Sequence, residues 1–107
     1  MNYLLDTHVF IWAIKERKKL SPVVIETLEN ADNSVFVSAI TFWEISLKFS
    51  IGKLELRNIL PEEFPEAALQ MGFELIPLSP NESASHHKLK LTQHKDPLDR
   101  MLIWQAI

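Results

Sequence analysis

Three short apolar runs, each followed by two segments of helical period, constrain this chain more than any other feature. The runs are "NYLLD" from Asn2, "VFVS" from Val35 and "FELIP" from Phe73. Each is of strand length and strand type. After the first, "THVFIWAIK" places Val9, Trp12 and Ala13 at helical spacing behind Thr7 as a cap. The charged "KERKKL" breaks the pattern, and "SPVVIETLENA" restarts a helix with Ser21 as N-cap and Pro22 at the first helical position. After the second run, "TFWEISLKFSI" predicts a helix from Thr41 to about Ile51, ended near Gly52. "LPEEFPEAALQMG" predicts another that ends at Gly72, with Pro65 disturbing its first half. After the third run come "SPNESASHHKLK", capped by Ser79, and a last helix opening at Pro97. This order predicts an α/β domain around a small parallel sheet. In such sheets ligands collect beyond the carboxyl ends of the strands, where Asp6 falls.

A chain of 107 residues is expected to form one domain, and 47% hydrophobic with 23% charged residues is enough to bury a core. No apolar run is long enough to span a bilayer, and the N-terminus lacks a basic segment leading into an apolar stretch. A cytoplasmic location without membrane association is the expectation. The absence of cysteine rules out disulfides and thiolate metal sites. A net charge of -3 does not announce a nucleic-acid binder. Nor does it exclude one, because acids gathered around a metal lower the net charge while the metal itself meets phosphate.

Three carboxylates stand where the pattern turns them inward. Asp6 closes the first run and precedes a helix, so it reads either as that helix's cap or as an acid aimed above the sheet. Glu44 shares a helical face with Ile40, Leu47 and Ile51, so a carboxylate occupies an apolar stripe. The bland reading is an exposed pair with Lys48, worth about 0.2–0.5 kcal/mol. In "HKDPLDRMLIWQA", Asp96 followed by Pro97 reads as a cap, while Asp99 begins the apolar row Leu102, Ile103, Ala106. If Asp6, Glu44 and Asp99 converge, charges about 5 Å apart repel by roughly 3 kcal/mol at an effective dielectric near 20. A divalent cation relieves that, and oxygen-only ligands favour Mg²⁺ or Mn²⁺ over zinc. Such ions commonly serve phosphoryl chemistry.

"LLDTH", "SAITFWEISLKFSIGKL" and "HKDPLDRMLIWQA", in this order and spacing, resemble the PIN-domain proteins, specifically the VapC-type ribonuclease toxins of bacterial toxin–antitoxin pairs. The resemblance runs from the first strand to the last residue. It implies a three-layer α/β fold with a central parallel sheet flanked by helices, a homodimer, a cognate antitoxin, and cleavage of RNA dependent on Mg²⁺ or Mn²⁺. By motif it assigns Asp6, Glu44 and Asp99 as catalytic and metal-binding acids, with Thr7 and Asp96 in support. Family members usually continue into a further strand with another acid. The sequence stops at Ile107, so the reading is of a domain lacking its usual last strand and C-terminally incomplete, with catalysis in question more than fold.

Lys48 and Arg100, each beside a proposed acid, are the candidates for phosphate or RNA contact. "KERKK" reads as a solvated turn, and His86, His87 and His94 lack the spacing of a metal site. The aromatics Phe10, Trp12, Phe42, Trp43 and Trp104 fall in apolar helical patterns and are expected in core or dimer packing. Trp12 and the Pro22–Leu28 helix are the expected dimer surface. Besides a metal-dependent endoribonuclease, two functions fit less well. One is a catalytically impaired binding module that pairs with an antitoxin. The other is a phosphohydrolase with Asp6 as nucleophile, which commonly wants a second aspartate where His8 stands.

Overall fold

The computed structural model describes residues 1–89 together with Met101 and Gln105. Within them the expected order of elements is present: β1 (Asn2–Leu4), α1 (Thr7–Lys15), α2 (Pro22–Glu29), β2 (Ser34–Ser38), α3 (Ala39–Ser50), α4 (Phe64–Gln70), β3 (Glu74–Ile76) and α5 (Pro80–Ser85). The strands form a parallel sheet in the order β1-β2-β3. Tyr3 lies opposite Val35 and Leu4 opposite Phe36, and Val37 lies opposite Leu75. A parallel sheet flanked by helices is the architecture the sequence predicts. The last helix, at Pro97, lies outside the described residues but for Met101 and Gln105.

Side-chain caps set the helix starts. Asp6 accepts from the Val9 N–H at 3.1 Å, and Ser21 accepts from the Val24 N–H at 3.2 Å ahead of Pro22. Helix α3 begins two residues before the predicted Thr41, because β2 runs straight into its own cap: the Ser38 hydroxyl accepts from the Ile40 N–H at 3.1 Å. Ser38 is fully buried and also donates to the Gln105 Oε1. Pro65 has the disturbing effect expected of it. The segment before α4 is a separate 3₁₀ turn, Pro61–Glu63, and α4 starts at Phe64. The helix expected after Ser79 tightens into a 3₁₀ turn at His86–Lys88.

Both glycines follow helices with positive φ, Gly52 at 75° and Gly72 at 83°, as their positions predict. At Gly52 the turn folds the chain back, so that the Lys53 N–H donates to the Lys48 carbonyl at 2.9 Å.

The main core lies where helices α1, α3 and α4 meet the sheet. Phe10, Val37, Ile45, Phe64 and Ala68 are all wholly buried there. Phe10 is its aromatic centre, with ring centroids of Phe42, Phe64 and Phe73 at 5.6, 5.9 and 6.3 Å in edge-on arrangements. Val24 and Leu28, both partly buried, pack against this core, and Val23 of the same helix is 72% exposed. Among the described residues no helix is long and apolar enough to cross a membrane.

Candidate functional site

The β1–α1 junction and the second turn of α3 meet at the carboxyl end of the sheet. Thr7 opens α1, Thr41 lies in the first turn of α3, and Glu44 follows one turn later on the same face. All are buried, Glu44 to 1% exposure. The Thr7 hydroxyl donates to the Glu44 Oε1 at 2.6 Å. It also lies 3.4 Å from the Thr41 Oγ1. The Lys48 ammonium, one turn further along α3, meets the Glu44 Oε2 at 2.5 Å. Each oxygen of this buried carboxylate therefore has a donor, and its charge has a counter-charge, as burial requires.

The predicted pair of Glu44 with Lys48 is present, but it is not an exposed one. The Glu44 side chain is 2% accessible and the Lys48 side chain 33%. The apolar stripe used to argue for Glu44's burial is different from the one the fold buries. Leu47 and Ile51 are 40% and 56% exposed, and the inward face is Ile40, Thr41, Glu44 and Ile45. Helix α3 is apolar almost all round, so helical period alone leaves its inward face open. Trp43, expected in core or dimer packing, is 57% exposed, whereas Phe42 packs on Phe10.

Glu44 forms part of the wall of a cleft of about 300 Å³, together with Thr7, His8, Trp12, Lys48 and Lys53. Its walls divide by chemistry. His8 and Trp12 supply rings with centroids 6.0 Å apart, and Lys48 and Lys53 supply cations. Lys19 stands 5.9 Å from the Trp12 ring centroid, within cation–π range. Nothing in the sequence marked His8 or Lys53 as neighbours of Glu44. Only Thr41, three residues before Glu44, carried a positional hint.

Asp6 is exposed, and its Oδ1 caps α1. It borders a separate cavity of about 330 Å³ beside Leu5, Val9, Val24 and Leu28. The structure thus brings Thr7 and Lys48 to Glu44, and sets Asp6, in the β1–α1 junction, in the role of a cap. Asp96, Asp99 and Arg100 lie outside the described residues.

The chain's relationships agree with this architecture. The family model of the PIN domain matches residues 3–107. The chain belongs to the PIN domain family. Among solved structures this PIN domain is similar to a chain in the crystal structure of VapBC2 from Rickettsia felis bound to a DNA fragment from their promoter. The TM-score is 0.64 at 21% identity, over 100% of this chain and 81% of that one. At that identity the likeness is one of fold. A comparison with curated proteins gives no match.

PIN domains typically use divalent metal ions. Donor chemistry tests whether these residues suit one. Glu44 has the chemistry of a ligand, a buried carboxylate on the wall of a cleft with the Thr7 hydroxyl beside it, although the Lys48 ammonium already meets its Oε2. Among the described residues no group of three His, Cys, Asp or Glu side chains is placed to hold an ion.

Proposed function

We propose that this PIN domain is a metal-dependent endoribonuclease, the VapC-type toxin of a toxin–antitoxin pair, in which Glu44, Asp6 and Asp99 hold Mg²⁺ or Mn²⁺ and Thr7 and Asp96 support the site. One observation carries the reading: a buried carboxylate, Glu44, is held by Thr7 at the carboxyl end of a parallel sheet and opens on a cleft with two lysines. A divalent ion bound there would activate water and stabilise charge building on a phosphodiester. The protein's own groups have narrower tasks. Thr7 fixes the Glu44 carboxylate, and Lys48, Lys53 and Arg100 are the cations available to a phosphate.

RNA is the proposed substrate because the cleft joins cationic and aromatic walls, the combination that binds single-stranded nucleic acid. The proposed partners are a cognate antitoxin, which the VapBC2 complex makes the natural expectation, and a second copy of the chain. The test is cleavage of a structured RNA with Mg²⁺, with Mn²⁺ and with chelator, beside Glu44→Gln. Cleavage that needs metal and is lost in the variant supports the reading; none under any condition overturns it.

A second reading, a catalytically impaired module that binds an antitoxin, is favoured by a specific observation. Both Glu44 oxygens are satisfied by the chain's own groups, and Asp6 borders another cavity. Antitoxin binding without cleavage would decide for it.

A further inference from the structure

We propose that the cleft beside Glu44 holds one unpaired nucleotide of an RNA strand, with its base against Trp12 and His8 and its phosphate on Lys53. The inference rests on the reading of RNA as substrate and asks nothing of a metal. The charges around the cleft leave a surplus. Glu44 has Thr7 on one oxygen at 2.6 Å and the Lys48 ammonium on the other at 2.5 Å, so this carboxylate is answered from within the chain. Lys53 lines the same cleft, is exposed, and among the described residues takes part in no ion pair. The cleft therefore attracts an anion.

The other part of the lining is aromatic. His8 and Trp12 stand one turn apart on α1, the first exposed and the second half-buried, and Ile11 and Leu54 add apolar surface beside them. The aromatic centre of the core does not need Trp12, because Phe10 fills it with Phe42, Phe64 and Phe73 around it. Nor are the two cleft rings spent on each other. Their planes are inclined by 53° with centroids 6.0 Å apart, so they are not stacked and neither covers the other's face. Lys19, itself paired with Glu16 at 3.1 Å, stands 5.9 Å from the Trp12 centroid and adds a second cation beside the ring.

Rings joined to a cation select their ligand by chemistry. A base stacks on indole whatever its identity, because every base has a π-face, and a lysine meets the phosphate beside it. An acidic peptide would answer the lysine and leave the rings idle. A volume of about 300 Å³ is the lower end for a small-ligand site and suits one nucleotide rather than a helix. In a duplex the base faces are hidden in the stack, so only a looped or single-stranded segment can reach Trp12. The turn at Gly52, with φ 75°, returns the Lys53 N–H to the Lys48 carbonyl at 2.9 Å and so keeps Lys53 at the cleft.

The experiment uses the full chain in chelator, so that binding is read without cleavage. Fluorescence anisotropy follows a labelled unpaired RNA of about ten nucleotides, and the same strand in a duplex. Wild type is expected to prefer the unpaired strand. Trp12→Ala should weaken its binding about tenfold, and Trp12→Phe, which keeps a ring, far less. Lys53→Met should weaken it and lower the slope of log affinity against log salt by about 0.7, the share of one phosphate contact on a single strand. Equal affinity for strand and duplex, or unchanged affinity in Trp12→Ala, overturns the proposal. A chain that binds as expected yet never cleaves with Mg²⁺ or Mn²⁺ keeps this subsite and loses the nuclease reading. One that cleaves with metal while Trp12→Ala cleaves with the same KM keeps the nuclease reading and loses the subsite. Should Trp12→Ala fail to fold, photocrosslinking of wild type to RNA carrying 4-thiouridine decides. A crosslink on the tryptic peptide Met1–Lys15, which holds His8 and Trp12, supports the subsite, and crosslinks confined to other peptides overturn it.

Discussion

Thr7 and Glu44 stand 37 residues apart in the chain and meet in a buried hydrogen bond of 2.6 Å that ties the first helix to the third. The bond couples fold to site, since the residue that begins α1 also orients the carboxylate on α3. Replacing Thr7 with Val keeps the shape and removes the donor. A buried acceptor left without its donor costs about 1–3 kcal/mol. Thr7→Val is expected to lose stability in that range in urea unfolding, and Thr7→Ser to retain most of it. Equal stability of Thr7→Val and wild type would show that the bond contributes nothing net.

Gly52 supports the same region from the other end of α3. Its φ of 75° lets the chain reverse, so that Lys53 returns to the Lys48 carbonyl and both lysines border the cleft. A Cβ added at Gly52 meets nothing within 4 Å, so Gly52→Ala is penalised through the backbone alone. The expected loss is about 1 kcal/mol. A matching drop in melting temperature, with α3 otherwise intact by circular dichroism, checks it.

The α5 cap makes a pH-dependent contribution. Ser79 and Glu82 form a reciprocal box, in which the Ser79 N–H donates to the Glu82 Oε1 at 2.9 Å and the Glu82 N–H donates to the Ser79 hydroxyl at 3.0 Å. The Ser79 backbone donor holds the Glu82 carboxyl below its ordinary range, with smaller help from the Ser79 and Gln105 side chains against the opposing effect of burial. A carboxyl lowered in the folded state adds stability that is present above its unfolded pKa and is lost as pH falls through its folded pKa. Thermal melts of wild type and Glu82→Gln should therefore differ most near neutrality and converge in acid. A difference that grows on acidification would reverse the assigned sign.

What was legible in the sequence followed from local chemistry. Ser21 before Pro22 and Gly after α3 and α4 are signals read within a few residues, and the strands at Asn2, Val35 and Phe73 announced themselves by short apolar runs. Glu44's burial was legible, but for a stripe the fold does not bury. With Ile40, Phe42, Trp43, Ile45, Leu47, Phe49 and Ile51 in one helix, period leaves its inward face undetermined. Tertiary contact with Thr7 and Phe10 chose it. The cleft's His8–Trp12 wall and Lys53 were illegible for a related reason: they become neighbours of Glu44 only through the crossing of α1 and α3 and the turn at Gly52.

Asp6 offers the sharpest separation of structural from catalytic work, because its two proposed roles ask different things of the side chain. As cap of α1 it needs an oxygen that accepts the Val9 N–H, which it does at 3.1 Å. Asparagine serves that purpose about as well as aspartate, whereas alanine costs about 1 kcal/mol. As a metal ligand it needs negative charge, which asparagine lacks and a hard cation demands. Asp6→Asn should accordingly melt within a degree or so of wild type, while metal-dependent RNA cleavage falls by roughly a hundredfold or more. Asp6→Ala should lose both stability and cleavage. If Asp6→Asn cleaves as fast as wild type, Asp6 is a cap and nothing more, and the metal must be held by Glu44 with acids other than Asp6. If Asp6→Asn instead melts as low as Asp6→Ala, its charge at the N-terminus of α1 matters more to the helix than its hydrogen bond does. The rate comparison would then be repeated at a temperature where both variants are fully folded.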